Sequence, residues 1–224
     1  MDLNVWLAFL AACWVIAVSP GSGAVLAMTH GLAYGVRGAG ATILGLEAGV
    51  AVILLVAGAG VGALLLASAT AFTVVKVTGA AYLIWLGWRQ WVAPVTAGEA
   101  PARASTPAGA GATQGRGSGV WPPARQRFML GFLTNVTNPK GIVFMVAVLP
   151  QFIDPQRSLW WQLPLMLVTA VAVDLVVMHG YAWLASRAQR WLASARARRA
   201  QNRVFGGVLM AMGASLFMVR RAAA

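Results

Sequence analysis

The stretch Thr134–Phe152, TNVTNPKGIVFMVAVLPQF, places Asn135, Thr137, Asn138, Pro139 and Lys140 inside an otherwise apolar run. Alone, it reads either as a loop leading into a buried helix or as a polar break in mid-membrane. Pro139 limits what the backbone can do there. It has no amide hydrogen, and its ring clashes with the carbonyl four residues earlier, that of Asn135. The residue before a proline also avoids the α region. The spacing therefore predicts one helix ending near Asn138 and another starting at Pro139, with Asn138 as its N-cap.

Composition chooses the membrane. Of 224 residues, 59% are hydrophobic and only 10% charged, where a soluble domain carries about a quarter charged. Mean hydropathy is +0.73. An apolar excess of this size has no soluble use, so the chain reads as an integral membrane protein. A bilayer is crossed by about 20 apolar residues, which gives six candidate spans, 3–28, 38–66, 70–92, 127–150, 160–186 and 203–219. Between the third and fourth, 93–126 is Ala, Gly, Pro, Ser and Thr with scattered Arg. Such a stretch has too little large apolar surface to offset the entropy of ordering, and it reads as a flexible linker. It divides the chain into two three-helix repeats, 1–92 and 127–224.

Three is odd, so the two repeats must have opposite topology, the usual plan of secondary transporters. The expected fold is all-α integral membrane, with six transmembrane helices as two inverted repeats whose first helices are broken. The first repeat supplies the counterpart break, Ser19-Pro20-Gly21. Here Ser19 is the expected N-cap and Pro20 the first helical residue. A half-helix start within the membrane presents free amides and a positive dipole end, which suits a carboxylate. The plainer alternative is that both prolines only kink helices, as membranes tolerate.

The net charge of +12 has a topological pattern rather than a nucleic-acid one. The loops after spans one, three and five hold Arg37; Arg89, Arg103, Arg116, Arg125 and Arg127; and Arg187, Arg190, Arg196, Arg198, Arg199 and Arg203. That is twelve, against three, Arg157, Arg220 and Arg221, on the opposite side. The positive-inside rule puts the linker in the cytoplasm and both termini outside. Juxtamembrane arginines also favour anionic lipid headgroups. Trp85, Trp88, Trp91, Trp160 and Trp161 lie near span ends, as an aromatic belt would. The pairs Gly31/Gly35, Gly45/Gly49 and Gly58/Gly62 sit four apart, a spacing that lets helix backbones approach closely in lipid. Cys13 alone excludes an internal disulfide, and it reads as a small lipid- or bundle-facing residue. No Lys or Arg precedes the first apolar run, so a retained helix is expected there rather than a cleaved signal.

Five residues are acidic, and two of them, Glu47 and Asp174, lie within spans. Glu47 falls about 14 Å into its span at 1.5 Å per residue. Both are on the second helix of their repeat, in equivalent places. Charges at that depth usually face the bundle interior and serve ion or proton movement. The alternative is a structural hydrogen bond, or a pairing with Lys140 or Lys76. Lys140 either pairs with Asp174 or meets a substrate carboxylate, whereas Lys76 is placed to snorkel. His179 stands about 140° from Asp174 around the fifth helix, so the two form no simple relay. No cysteine–histidine cluster and no phosphate-cradling glycine loop appears, so no metal, cofactor or catalytic residue is expected.

Four stretches in order resemble the LysE/RhtB family of amino-acid exporters. They are Ser19-Pro20-Gly21; Lys76 to Gly87 (KVTGAAYLIWLG); Asn135 to Lys140 with Pro150-Gln151-Phe152; and Asp174. Gly45-Leu46-Glu47 resembles a glycine–acid pair of some members. Ser22 and Gly23 depart from the family's first-span motif, which continues Pro-Gly-Pro and then Asn or Asp; the long linker departs too. The resemblance implies a non-enzymatic exporter in the cytoplasmic (inner) membrane of a bacterium, moving amino acids or close derivatives outward on the proton gradient. Ser19, Pro20, Gly21, Asn135, Thr137, Asn138, Pro139 and Lys140 are the expected substrate-binding residues, and Glu47 and Asp174 the proton-coupling ones. The expected partners are the amino-acid substrate, protons, a bilayer with anionic headgroups and, in a homo-oligomer, further copies of the chain. Other readings of the same residues are a metal- or organic-cation transporter, a lipid-modifying membrane enzyme, or a non-transporting assembly or sensory subunit.

The charge count makes a direct prediction. A single cysteine introduced at Ser118, with Cys13 replaced by Ala, should react with an impermeant maleimide in inverted membrane vesicles and not in intact cells. The opposite labelling pattern reverses the topology.

Overall fold

Two breaks organise the chain. The computed structural model describes residues 1–67, 69–92, 122–154, 156–187 and 195–218; most of the expected linker 93–126 lies outside the described residues. Among these, α1 (Leu3–Val18) is followed by a break at 19–21, then α2 (Ser22–Ala67) and α3 (Ala69–Val92). Next come α4 (Ala124–Val136), a second break at 137–138, α5 (Pro139–Val148), a 3-10 turn Leu149–Phe152, α6 (Leu159–Arg187) and α7 (Ala195–Met218). α4 starts three residues inside the expected linker. Ser22–Gly60 and Leu159–Arg187 are long and apolar enough to cross a membrane. A third span is formed if Ala124–Val136 and Pro139–Phe152, bent by 51°, count as one.

The second break follows the proline logic. Asn138 is extended, its side chain accepts the Lys140 amide at 3.1 Å, and Pro139 is the first helical residue. The first break differs from expectation. Ser19 is the C-cap of α1, with its amide donating to the Val15 carbonyl at 3.2 Å, and Pro20 lies between helices. α2 begins only at Ser22, and the Gly21 carbonyl accepts its first bond from Val25 at 3.0 Å. Ser19 is forced extended by the proline after it, and glycine is costly to hold helical. The helix therefore resumes beyond both.

α2 is a hairpin rather than one rod. Gly35 has φ 70° and ψ 174°, a conformation essentially confined to glycine. His30 Nδ1 and the Thr42 hydroxyl are hydrogen-bonded at 2.5 Å, although twelve residues of straight helix would separate them by about 18 Å. The chain doubles back at Gly35, and the arms 22–34 and 36–67 lie side by side. The loop expected before Arg37 has shrunk to a single residue.

Long-range hydrogen bonds fix how the breaks are packed. Trp6 Nε1 donates to the Thr169 hydroxyl at 3.1 Å, and the Tyr181 hydroxyl donates to the Val18 carbonyl at 2.6 Å. Both pairs are 163 residues apart, so α1 and α6 run in parallel. Arg127 donates to the Gly38 carbonyl, and Asn135 Nδ2 donates to the Leu46 carbonyl at 2.7 Å. Both of these are 89 apart, so α4 runs parallel to the arm 36–67. The helix before each break thus packs on a long helix from the other half of the chain.

Small residues permit this closeness. A Cβ at Gly45 would overlap the Phe128 carbonyl, and one at Gly131 the Thr42 carbonyl. Gly49 packs on Asn135 and Gly31 on the α6 backbone at Ala182. In α3 and α7, a Cβ on Gly87 or Gly206 would stand 2.5 Å from the other's carbonyl oxygen. Close backbone approach of this kind drives association where no hydrophobic force acts between helices.

Two arginines have defined partners at the ends of helices. Arg157 binds Asp2 at 2.8 Å and Asp154 at 3.2 Å. Arg127 lies over the Tyr34 ring, 5.7 Å from its centroid, and reaches Gly38. Trp85, Trp88, Trp91, Trp160 and Trp161 are exposed.

Gly35→Ala should cost about 1–3 kcal/mol by forcing a side chain into this glycine-only conformation. A thermal midpoint in detergent that falls by at least a few degrees checks this, while an unchanged midpoint means the hairpin turn carries no strain.

Candidate functional site

The breaks come together around one cleft of about 80 Å³. Ser19 and Gly21 line it from the first break, and Asn135, Asn138, Lys140 and Gly141 from the second. Asp174 of α6 completes the polar set. Of the residues predicted from sequence, these are the ones brought together. Pro20 does not line the cleft. Thr137 and Pro139 are exposed, and the Thr137 hydroxyl turns back to the Leu133 carbonyl at 2.7 Å. Thr137 stands in the break itself, outside the cleft lining, with its hydroxyl on the backbone of α4. His179 also bonds its own helix, at the Leu175 carbonyl, 2.8 Å away.

Each polar group has a structural reason for its place. Asn135 is held by the Leu46 carbonyl across the glycine-lined contact with the arm 36–67. Asn138 is spent on capping α5. Lys140 Nζ crosses the cleft and donates to the Ser19 carbonyl at the end of α1. The same Lys140 ammonium lies within electrostatic reach of Asp174.

The backbone adds donors. Pro139 has no amide hydrogen and the Lys140 amide is capped, which leaves the Gly141 amide as the donor that α5 offers to the cleft. The first turn of α2 likewise opens amides at Gly23 and Ala24, both of which line the cleft. A side chain at position 23, where the family motif carries Asn or Asp, would enter the cleft against Leu46, whose Cδ2 lies 3.2 Å from the Cβ position.

Glu47 stands behind this surface rather than on it. It is 5% exposed, and its carboxyl group faces that of Asp174, with which it can share one proton in a hydrogen bond. Asp174 lies within its electrostatic reach. Two carboxyl groups and one ammonium therefore share a small volume at the centre of the protein. Ser19 Oγ is a buried atom with no hydrogen-bond partner. Among the described residues, no group of three or more His, Cys, Asp and Glu side chains is arranged to hold a metal ion.

The apolar wall was not singled out from sequence. Cys13, Ile16 and Ala17 line the cleft from α1, Phe144 and Met145 from α5, and Ala170 and Met178 from α6. Their signal was spacing: Ala170, Asp174 and Met178 are four apart and share a helix face with the acid. Cys13 is one of the bundle-facing residues, at the cleft.

Comparison with known proteins agrees with this architecture. A family profile described as "LysE type translocator" matches residues 14–220. A homoserine/homoserine lactone efflux protein of Salmonella typhimurium is 40% identical over 222 residues, covering 99% of this chain and 100% of the relative. An uncharacterized membrane protein of Vibrio cholerae is 40% identical over 215 residues, covering 95% and 96%. A leucine efflux protein of Klebsiella pneumoniae is 30% identical over 149 residues, covering 66% and 63%. No solved structure matches the chain. With an apolar helical chain, a broken-helix cleft and a profile match across nearly its whole length, this protein belongs to the LysE family of membrane translocators.

Proposed function

We propose that the chain exports small neutral amino acids, homoserine foremost, or their close derivatives across the cytoplasmic membrane. The observation that carries this reading is the cleft itself, in which half-helix amides, one ammonium and one carboxylate face each other over about 80 Å³. A zwitterion needs both signs of charge in a small space, and helix ends supply partial charges without free ions. The names of the relatives, homoserine/homoserine lactone efflux protein and leucine efflux protein, point to the same substrate class.

In this reading the chain has six spans in two inverted repeats, with both termini outside and the linker in the cytoplasm. Support comes from the packing of the helix before each break on a long helix from the other half of the chain, and from the uneven distribution of arginines along the sequence. Protons moving inward drive substrate outward. Asp174 takes a proton from the cleft and Glu47 shares it. A buried carboxylate without a cation beside it is costly as an anion, and Glu47 is buried with its carboxyl against that of Asp174.

Counterflow of labelled homoserine and leucine into proteoliposomes tests the transport reading, and no flux across a broad amino-acid panel overturns it. For the coupling, Asp174→Asn should lower gradient-driven export at least about tenfold, the size of effect expected from losing one positioned proton-transfer group. Collapsing the pH gradient should slow the wild type and leave the Asn variant unchanged. A variant that still responds to the gradient removes Asp174 from the coupling.

A further inference from the structure

Lys140 sits on the carboxylate-binding helix end in sequence, yet its ammonium is elsewhere. Nζ spans the cleft to the Ser19 carbonyl, where the C-terminal end of α1 carries partial negative charge. Asp174 lies within electrostatic reach of the same ammonium. Next to that carbonyl, Ser19 Oγ is 1% exposed and has no hydrogen-bond partner. A carbonyl and an unpaired hydroxyl at the end of α1, with a carboxylate lining the same cleft, form an acceptor set for a primary ammonium, and the Lys140 ammonium already takes the carbonyl. The substrate class named above carries the same group. Its carboxylate has a separate place, at the amides of Gly141 and of Gly23 and Ala24.

We propose that the Ser19 carbonyl and hydroxyl, with Asp174, form the subsite for the substrate's ammonium, and that Lys140 is its tethered occupant, displaced when an amino acid binds. This rests on the amino-acid reading of the cleft, and of the two expectations for Lys140, a place beside Asp174 or one at the substrate's carboxylate, it sets aside the second. The device has a physical purpose. A lone carboxylate in a low-dielectric bundle is expensive, and the tethered cation offsets the charge of Asp174 across the cleft while the cleft is empty. Substrate then exchanges one ammonium for another, so loading changes the charge of the site little. The occupant also weakens binding, because apparent affinity falls by the fraction of molecules whose subsite is open.

Binding to the purified full chain in detergent, read by calorimetry, tests this with homoserine and with 4-hydroxybutyrate, the same molecule without its ammonium. If Lys140 fills the subsite in nine molecules of ten, Lys140→Met should lower the homoserine dissociation constant about tenfold. The constant for 4-hydroxybutyrate should change less than about twofold in the same variant. Lys140→Gln repeats the test should the Met variant not fold, and Lys140→Arg, which keeps a tethered cation, should restore weak homoserine binding. Weaker binding of both ligands in the Met and Gln variants, or no change in either, overturns the proposal while leaving the exporter reading intact. A wild type that binds no amino acid overturns both.

Discussion

Helix ends inside an apolar protein leave backbone groups that lipid cannot satisfy, and each of the two breaks must find partners for its own. At the end of α1, the Val18 carbonyl takes the Tyr181 hydroxyl and the Ser19 carbonyl takes the Lys140 ammonium. At the start of α5, the Asn138 side chain takes the Lys140 amide, and between the helices the Thr137 amide bonds Leu133 at 3.1 Å. What these partners leave over is concentrated in one place: the amides at the starts of α2 and α5, and the Ser19 hydroxyl. The chemistry of the cleft is the remainder of this satisfaction problem.

Glycine makes the remainder accessible. Gly45 and Gly131 let α4 and the arm 36–67 touch backbone to backbone, which brings Asn135 onto Leu46 and sets Glu47 one residue from that contact. Larger residues at either position would push the second break away from the acids. The polar centre is thus positioned by the residues with the least side chain, while Gln162, bonding Asp154 and Arg157 through its side chain, ties down the turn that closes the α5–α6 end.

Much of this was legible because its signals are rare in apolar sequence. A proline flanked by asparagine and lysine, or an acid deep in a span, stands out from its surroundings, and Pro139, Lys140 and Asp174 were found that way. Other features had no such mark. Gly35 is one glycine among 25, and no periodicity distinguishes a hairpin turn from an ordinary helical glycine. Ser-Pro suits the end of one helix as well as the start of the next, and the extended preference of Ser19 before proline, with the cost of holding Gly21 helical, decided the matter. Thr137 is close to the cleft in sequence, yet its hydroxyl is taken by the Leu133 carbonyl behind it. The reach of Lys140 across the cleft could not be read at all, since a four-carbon stem places its charge far from its own backbone.

The parallel pairing of α1 with α6, and of α4 with the arm 36–67, has a consequence for motion. The covalent halves of the chain are not its mechanical halves. Any movement that kept residues 1–92 rigid against 122–218 would have to tear both pairings and shear the glycine contacts. The packed units are instead composite, each joining a broken helix from one half of the chain to an unbroken one from the other.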